Sequence, residues 1–348
     1  MNKELLITSK FKGGDVLDLG YTGFCAGEFT QIKPLEPGDI TPLSSFKSDW
    51  LPVASGALFS EFEISQKTKN TKVIQHIRVY HDLKKIDFNI SLVDFNGAHN
   101  RQYRMALPLN MNMNQYKINY EVPMGVIEVG RDEMKTIPGG WSWEGTYSQP
   151  QNEVHPREVQ NFISASGNGM GVTMSSCVSA VDWLDPSREM SDYPVLQGIL
   201  LSSHKSCHGE GNWYEQKGTH YYTFSITSHT EGWENGYQFG LAANHPLIAV
   251  SKNNEGGSLE KEKSFMKVSN PFVMVSTVKR ADNDNNVIIR LTEMKGEKTN
   301  VTIEFPMVVK KVIKTNMIED EEETVDVSGK SITLPIGKHA IETYKITF

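Results

Sequence analysis

The chain has 348 residues, 38% of them hydrophobic, with a formal net charge of −7 and three cysteines. That length suffices for two or three domains or one large all-β domain. The acidic balance gives no field for attracting nucleic acid or an acidic membrane surface. Cys25, Cys177 and Cys207 are odd in number and far apart, which argues against a disulfide framework.

No run of about 18 apolar residues is present to form a membrane span. The start, MNKELLITSKFKGG, lacks an apolar core of signal-peptide length. The sequence therefore reads as a soluble globular protein, with any export signal belonging to a longer precursor, and it assigns no compartment.

In chain order, the first clear elements alternate. In GALFSEFEIS (56–65), Leu58, Phe62 and Ile64 stand against Ser60, Glu61 and Glu63; TKVIQHIRVYHD (71–82) sets Val73, Gln75, Ile77 and Val79 against Ile74, His76, Arg78 and Tyr80. KKIDFNISLVDF (84–95) and THYYTFSITSH (219–229) follow the same pattern. Period-two patterning with β-branched and aromatic residues predicts strands. GG pairs at 13–14, 139–140 and 256–257 and the GNG at 167–169 punctuate them. No amphipathic helix of 12 or more residues is evident.

Short strands without intervening helices predict sandwiches. The polar, Gly-containing SKNNEGGSLEKEKS (251–264) reads as a linker, dividing a domain at 1–260 from one at 265–348. Beyond it PFVMVSTVKR, NVIIRLTEMKG, NVTIEFP, VVKKVIKTN, TVDVSG, SITLPIG and IETYKITF are roughly seven strands in about 80 residues, which fits a small immunoglobulin-like sandwich. The acidic run EDEEE (319–323) reads as a solvated turn.

The order IQHIRVYHDLKKIDFNISLVDF (74–95), YRMALPL (103–109), YEVPMGVIEVGR (120–131), VQNFISASGNGMGVTMSS (159–176), HKSCHGEGNWYEQKGTH (204–220), VMVSTVKRADNDNNVIIRLTEMKG (273–296) and the closing IETYKITF resembles the C-terminal half of the family 38 glycoside hydrolases, retaining α-mannosidases. The resemblance runs from about residue 56 to the end. It implies an all-β architecture: a large supersandwich of galactose-mutarotase-like type followed by a small immunoglobulin-like β-sandwich. It further implies a parent chain whose α/β catalytic domain and helical bundle are the partners of this region, with α-mannoside glycans as substrate.

In that family a zinc-binding His-x-Asp and a nucleophilic aspartate lie in the catalytic domain. None of the ten histidines here is followed two positions later by aspartate, so the sequence assigns no cofactor and no catalytic residue to this chain; zinc is expected in the absent catalytic domain.

Several stretches are candidate sites. In 204–220, His204, Cys207, His208 and His220 have the chemistry of zinc ligands, but their spacing matches no familiar signature, and an ordinary Gly-hinged loop explains them better. Trp213 and Tyr214 suit a domain interface first and a sugar-lining wall second. In HPREVQNF (155–162), Arg157 and Gln160 could bond sugar hydroxyls, against the plainer reading of a strand start.

Trp141 and Trp143 read as core before platform. In DNDNN (282–286), Asp282, Asp284, Asn286 and then Glu293 echo a calcium loop, but Val287 stands where that loop needs glycine, and a turn explains it better. Two rival functions stay open: an independent carbohydrate-binding module, and a mutarotase-like epimerase drawing on His155, His208 or His220 with Glu210 or Glu215.

Overall fold

The computed structural model describes residues 12–20, 40–111, 115–133, 156–185, 193–205, 211–251, 256, 258 and 260–348. They form two compact units, one of residues 1–121 with 127–246 and one of 122–126 with 247–348. Strands dominate both, as the alternating pattern predicts. Among the described residues no helix is long and apolar enough to cross a membrane.

The first unit contributes, in order, β1 (Asp15–Gly20), β2 (Ile40–Pro42), β3 (Asp49–Ser55), β4 (Phe59–Lys67), β5 (Lys72–Tyr80), β6 (Ile86–Phe95), β7 (Arg101–Pro108) and β8 (Tyr116–Val122). There follow β9 (Gly125–Glu128), of which Ile127 and Glu128 belong to this unit, β10 (Arg157–Glu158), β11 (Phe162–Gly167), β12 (Met170–Ser176), β13 (Ala180–Asp182), β14 (Val195–Lys205), β15 (Trp213–Tyr214), β16 (Gly218–Thr230) and one helix, α1 (Glu234–Asn244). Nine strands form one sheet in the order β3-β4-β5-β6-β16-β12-β11-β8-β9; the other runs β10-β13-β14-β7-β1-β2, with β15 added to β14. The GNG tripeptide makes the β11–β12 hairpin turn, where Asn168 and Gly169 take φ of 56° and 78°, the pair of positive values that a two-residue hairpin favours.

The two sheets stack face to face. Phe88, Phe224, Ile226, Val172 and Met174 point inward from the large sheet and are buried. Glycines in the facing sheet make room for the rings: a Cβ on Gly198 would lie 2.3 Å from Phe224, and one on Gly14 would lie 2.3 Å from Phe88. The Phe95 and Tyr103 rings meet edge to face across the same layer, 5.8 Å apart.

The opposite face of the large sheet's centre is also covered. There Ser164, Thr173, Ser175 and Thr227 are buried beneath α1. Gly236 and Gly240, four apart on one face of the helix, let it sit against the strands: a Cβ on Gly240 would lie 2.5 Å from Phe162, and one on Gly236 would lie 2.0 Å from Thr173 Oγ1. Tyr237, between them in sequence, packs edge to face on Phe162 and on Trp233.

The second unit holds β17 (Lys267–Val268), β18 (Val273–Arg280), β19 (Val287–Glu293), β20 (Thr299–Glu304), β21 (Lys311–Thr315), β22 (Glu321–Val325), β23 (Ser331–Ile336) and β24 (Ile341–Thr347). A sheet β17-β20-β23 and a sheet β18-β19-β24-β21-β22 enclose Ile289, Leu291, Val301, Ile303, Val312, Leu334 and Ile346. Glu293 ties its turns together. Its carboxylate accepts the N–H groups of Lys295, Gly296, Glu297 and His339 at 2.8–3.1 Å.

The acidic run corrects the sequence reading. Glu321, Glu322 and Glu323 lie in the exposed edge strand β22, where Lys345 pairs with Glu321 at 3.0 Å. A charged edge discourages pairing with another sheet, which gives the run a place in a strand despite its lack of alternation. Glu319 does form the turn, but it is buried, accepting the Asp282 N–H at 2.8 Å and pairing with Lys279.

Gly240→Ala is expected to destabilise the first unit by about 1–3 kcal/mol, because the added methyl must displace Phe162 or the helix. Denaturant unfolding of variant and parent checks this. An unchanged midpoint would show that the helix lifts at little cost.

Candidate functional site

Arg157 sits on the two-residue strand β10, opposite Val181 of β13. It is buried, and its Nε donates to Glu133 Oε1 at 2.7 Å. The Tyr120 hydroxyl donates to the same oxygen at 2.8 Å and the Gly130 N–H to the other at 3.0 Å. Burial pushes the Glu133 carboxyl up, but these three donors outweigh it and hold the group below the usual glutamate range. The guanidinium carbon lies 5.3 Å from the centroid of the Trp183 ring. Gln160, three residues on, exposes its side chain while its N–H donates to the Glu121 carbonyl at 3.0 Å.

A second polar group, which sequence reasoning missed, crosses the neighbouring strands. Arg104 of β7 donates from Nη1 to Asp182 Oδ2 at 3.2 Å and to Gln197 Oε1 at 3.0 Å, and from Nε to Gln102 Oε1 at 2.5 Å. All four residues are buried. An arginine amid the apolar residues of YRMALPL was the available signal, since a charge in a buried strand demands partners.

The described residues of 204–220 run from the far end of β14 through β15 to the start of β16 in the nine-stranded sheet. His204 faces Tyr214 and Lys205 faces Trp213 in the β14–β15 pair. The Trp213 ring stacks on His99 with centroids 3.6 Å apart and planes within 7°, and Lys205 Nζ lies 5.3 Å from the Trp213 centroid. His99 Nε2 is 3.0 Å from Glu215, whose other oxygen takes Lys217 at 2.5 Å. Hydrogen bonds from Lys217 and then His99 hold the Glu215 carboxyl below its ordinary range. His220 Nε2 donates to the Gln216 carbonyl at 2.7 Å. Tyr214 is 55% exposed.

The candidates thus fall into two groups. Gln197 pairs with Asp182, beside Arg157, and Lys205 pairs with Trp213; eight strand residues separate them, roughly 26 Å at about 3.3 Å per residue. His208 lies outside the described residues, as do Cys207, Glu210, His155, Trp141 and Trp143. Among the described residues no three His, Cys, Asp or Glu side chains gather as metal ligands. In the second unit Asp282 pairs with Lys279 at 2.6 Å and Asp284 accepts the Asn286 N–H at 2.8 Å, so DNDNN is a turn, with Glu293 committed elsewhere.

Comparison with known proteins adds the following. Residues 32–176 match the model described as "Glycosyl hydrolases family 38 C-terminal domain", and residues 273–344 match the "Glycosyl hydrolases family 38 C-terminal beta sandwich domain". Among solved structures, an alpha-mannosidase from Enterococcus faecalis V583 superposes with a TM-score of 0.68 at 13% identity, covering 96% of this chain and 38% of its own. A protein in glycosyl hydrolase family 38 from Enterococcus faecalis gives 0.69 at 12% identity, covering 96% and 40%. The chain therefore spans about two fifths of the length of these solved relatives. No curated protein matches it.

Arg157→Ala should destabilise the first unit by about 3–5 kcal/mol, because it strands a buried carboxylate. The sign with pH follows from the lowered Glu133 value. As pH falls, the unfolded chain takes up the proton first, so the stabilisation is present above about pH 4.3 and fades below it. Thermal melts across pH 3–7 should show that acid limb flattened in Glu133→Gln; an unchanged limb would remove Glu133 from the account.

Proposed function

This chain belongs to glycosyl hydrolase family 38 through that family's C-terminal domains, and from that premise we propose that it serves as the C-terminal β-sandwich region of a retaining α-mannosidase. In this role it supports a catalytic domain and a helical domain of the same polypeptide and lines part of the site where an α-mannoside binds. The observation that carries the reading is the pair of domain matches in order along the chain, at 32–176 and 273–344.

A retaining glycosidase requires two carboxyl groups about 5–5.5 Å apart, one as nucleophile and one as acid and base. On this reading those groups, and the zinc that would position the sugar hydroxyls, belong to the catalytic domain. The described residues here gather no ligand set for such an ion. This chain's part is to hold and present. Exposed Gln160 and Tyr214 would make the outward contacts, and His208 and His220 complete the lining or the domain interface. Arg157 and Trp213, fixed by Glu133 and His99, would hold their neighbours in place.

The division into a large domain at 1–260 and a small one at 265–348 belongs to the same proposal. Limited proteolysis should cut within the polar 251–264 segment and leave two pieces that each keep β structure by circular dichroism. Loss of structure in the smaller piece would make the chain one continuous domain.

Two observations test the enzymatic reading. The isolated chain should not hydrolyse an aryl α-mannoside, with or without added zinc; zinc-dependent turnover above buffer would overturn the division of labour. The gene upstream of the Met1 codon should encode an α/β region bearing His-x-Asp, and untranslated sequence there would remove the parent enzyme.

A further inference from the structure

At one end of the first unit, five elements meet around a cleft of about 410 Å³, a volume within the range of small-molecule sites. Asp18 comes from β1, Thr41 from β2, Phe46 from the end of a short 3-10 turn, Lys69 and Asn70 from the β4–β5 turn, and Arg101 from the start of β7. The site is built. Asp15 accepts both the N–H and the hydroxyl of Ser44, at 3.1 and 2.6 Å, and Gln66 donates to the Leu43 carbonyl at 2.9 Å, so the turn carrying Phe46 is tied to β1 and β4. On the other side the Asn96 N–H donates to the Asn70 carbonyl at 3.0 Å.

Within the cleft Asp18 is buried, at 5% exposure. Its Oδ1 accepts Nε and Nη2 of Arg101 and its Oδ2 accepts the Tyr103 hydroxyl at 3.0 Å. A carboxylate has about four acceptor positions, so one is left. Among the described residues, Arg101 Nη1, the Lys69 ammonium, the Asn70 side-chain N–H groups and the Thr41 hydroxyl have no protein partner. The Phe46 ring, 38% exposed, gives an apolar surface beside them.

Charge decides the class of ligand. A metal ion would face Arg101 and Lys69. An oxyanion would face Asp18, whose charge largely cancels that of Arg101 and leaves only Lys69 at the mouth. A neutral molecule with hydroxyls that both donate and accept, and with one apolar face, fits all of these groups. Neighbouring hydroxyls would donate to Asp18 and accept from Arg101, Lys69 or Asn70, while ring C–H groups would lie on Phe46.

We infer that this cleft is a binding site for a single hexose unit of a glycan. The preference for a sugar over another neutral polyol rests on the glycosidase reading; the site's geometry does not.

The test is a two-dimensional amide NMR titration of the whole chain with methyl α-mannoside, methyl α-glucoside and methyl β-galactoside, and with myo-inositol and inorganic phosphate as separate arms. At least one hexoside should shift the amides of Thr41, Phe46, Lys69 and Asn70. Phe46→Ala and Asn70→Ala, both at accessible positions, should each weaken binding about three- to tenfold with an unchanged melting temperature. Shifts confined to other residues such as Tyr214, shifts unaltered in both variants, or no hexoside binding at all would overturn the site. Binding of phosphate or inositol but of no hexoside would overturn the ligand class. None of these results bears on the hydrolysis assay or on the upstream gene, so failure here leaves family membership standing.

Discussion

The fold of the first unit depends on how closely its layers approach one another at glycines. Gly14 and Gly198 are notches in the smaller sheet that receive Phe88 and Phe224 from the larger. Gly236 and Gly240 are notches in the helix that receive Thr173 and Phe162 from the sheet's other face. The central strands are therefore buried on both sides. Burying a phenylalanine fully contributes roughly 1.5–3 kcal/mol, and that gain is available only while the opposing backbone carries no side chain at the point of contact.

The double burial fixes what each face may carry. Inward positions are large and apolar. The positions under the helix are small and polar, with Thr173 Oγ1 2.8 Å from His229 Nε2 and Ser175 donating to the Gly240 carbonyl at 3.1 Å. The His229 Nδ1 is 2.7 Å from the Thr230 carbonyl, which makes it the proton-bearing nitrogen and leaves Nε2 to accept from the threonine. Burial holds this imidazole below its ordinary pKa, in keeping with a neutral ring. The layer is polar but paired, which is the condition for burying such groups without loss.

Much of this was legible in the sequence, and the exceptions share a physical cause. Strands β5 and β6 lie within the segments that period-two patterning marks and β16 spans the third, while six of the seven C-terminal segments correspond to β18 to β21, β23 and β24. The GNG turn falls where two strands meet. The helix did not show itself, because ENGYQFGLAAN docks through two glycines and one tyrosine where a helical apolar stripe was the signal sought. Strand β22 was hidden because consecutive glutamates carry no period. The pairings that define the candidate sites, Arg157 with Glu133 and Trp213 with His99, join residues far apart in the chain. Only the folded topology brings them together, so the residues were visible while their partners were not.

That topology also constrains what the candidates can do together. Arg157 and Gln160 lie near one end of β14 and Trp213 and Tyr214 near the other, roughly 26 Å apart at about 3.3 Å per residue. One sugar ring cannot touch both. A protein partner can, since a standard interface of about 800 Å² per side is roughly 30 Å across. Arg157 is buried and ion-paired, and the Trp213 ring is stacked on His99, so neither offers an open face. The exposed members of the two groups are Gln160 in one case and Tyr214 in the other. If both ends act at once, the arrangement is that of a rigid edge presented to another domain, and a sugar would meet at most one end of it. The interface reading accounts for both groups with one partner, whereas the sugar-lining reading accounts for only one of them.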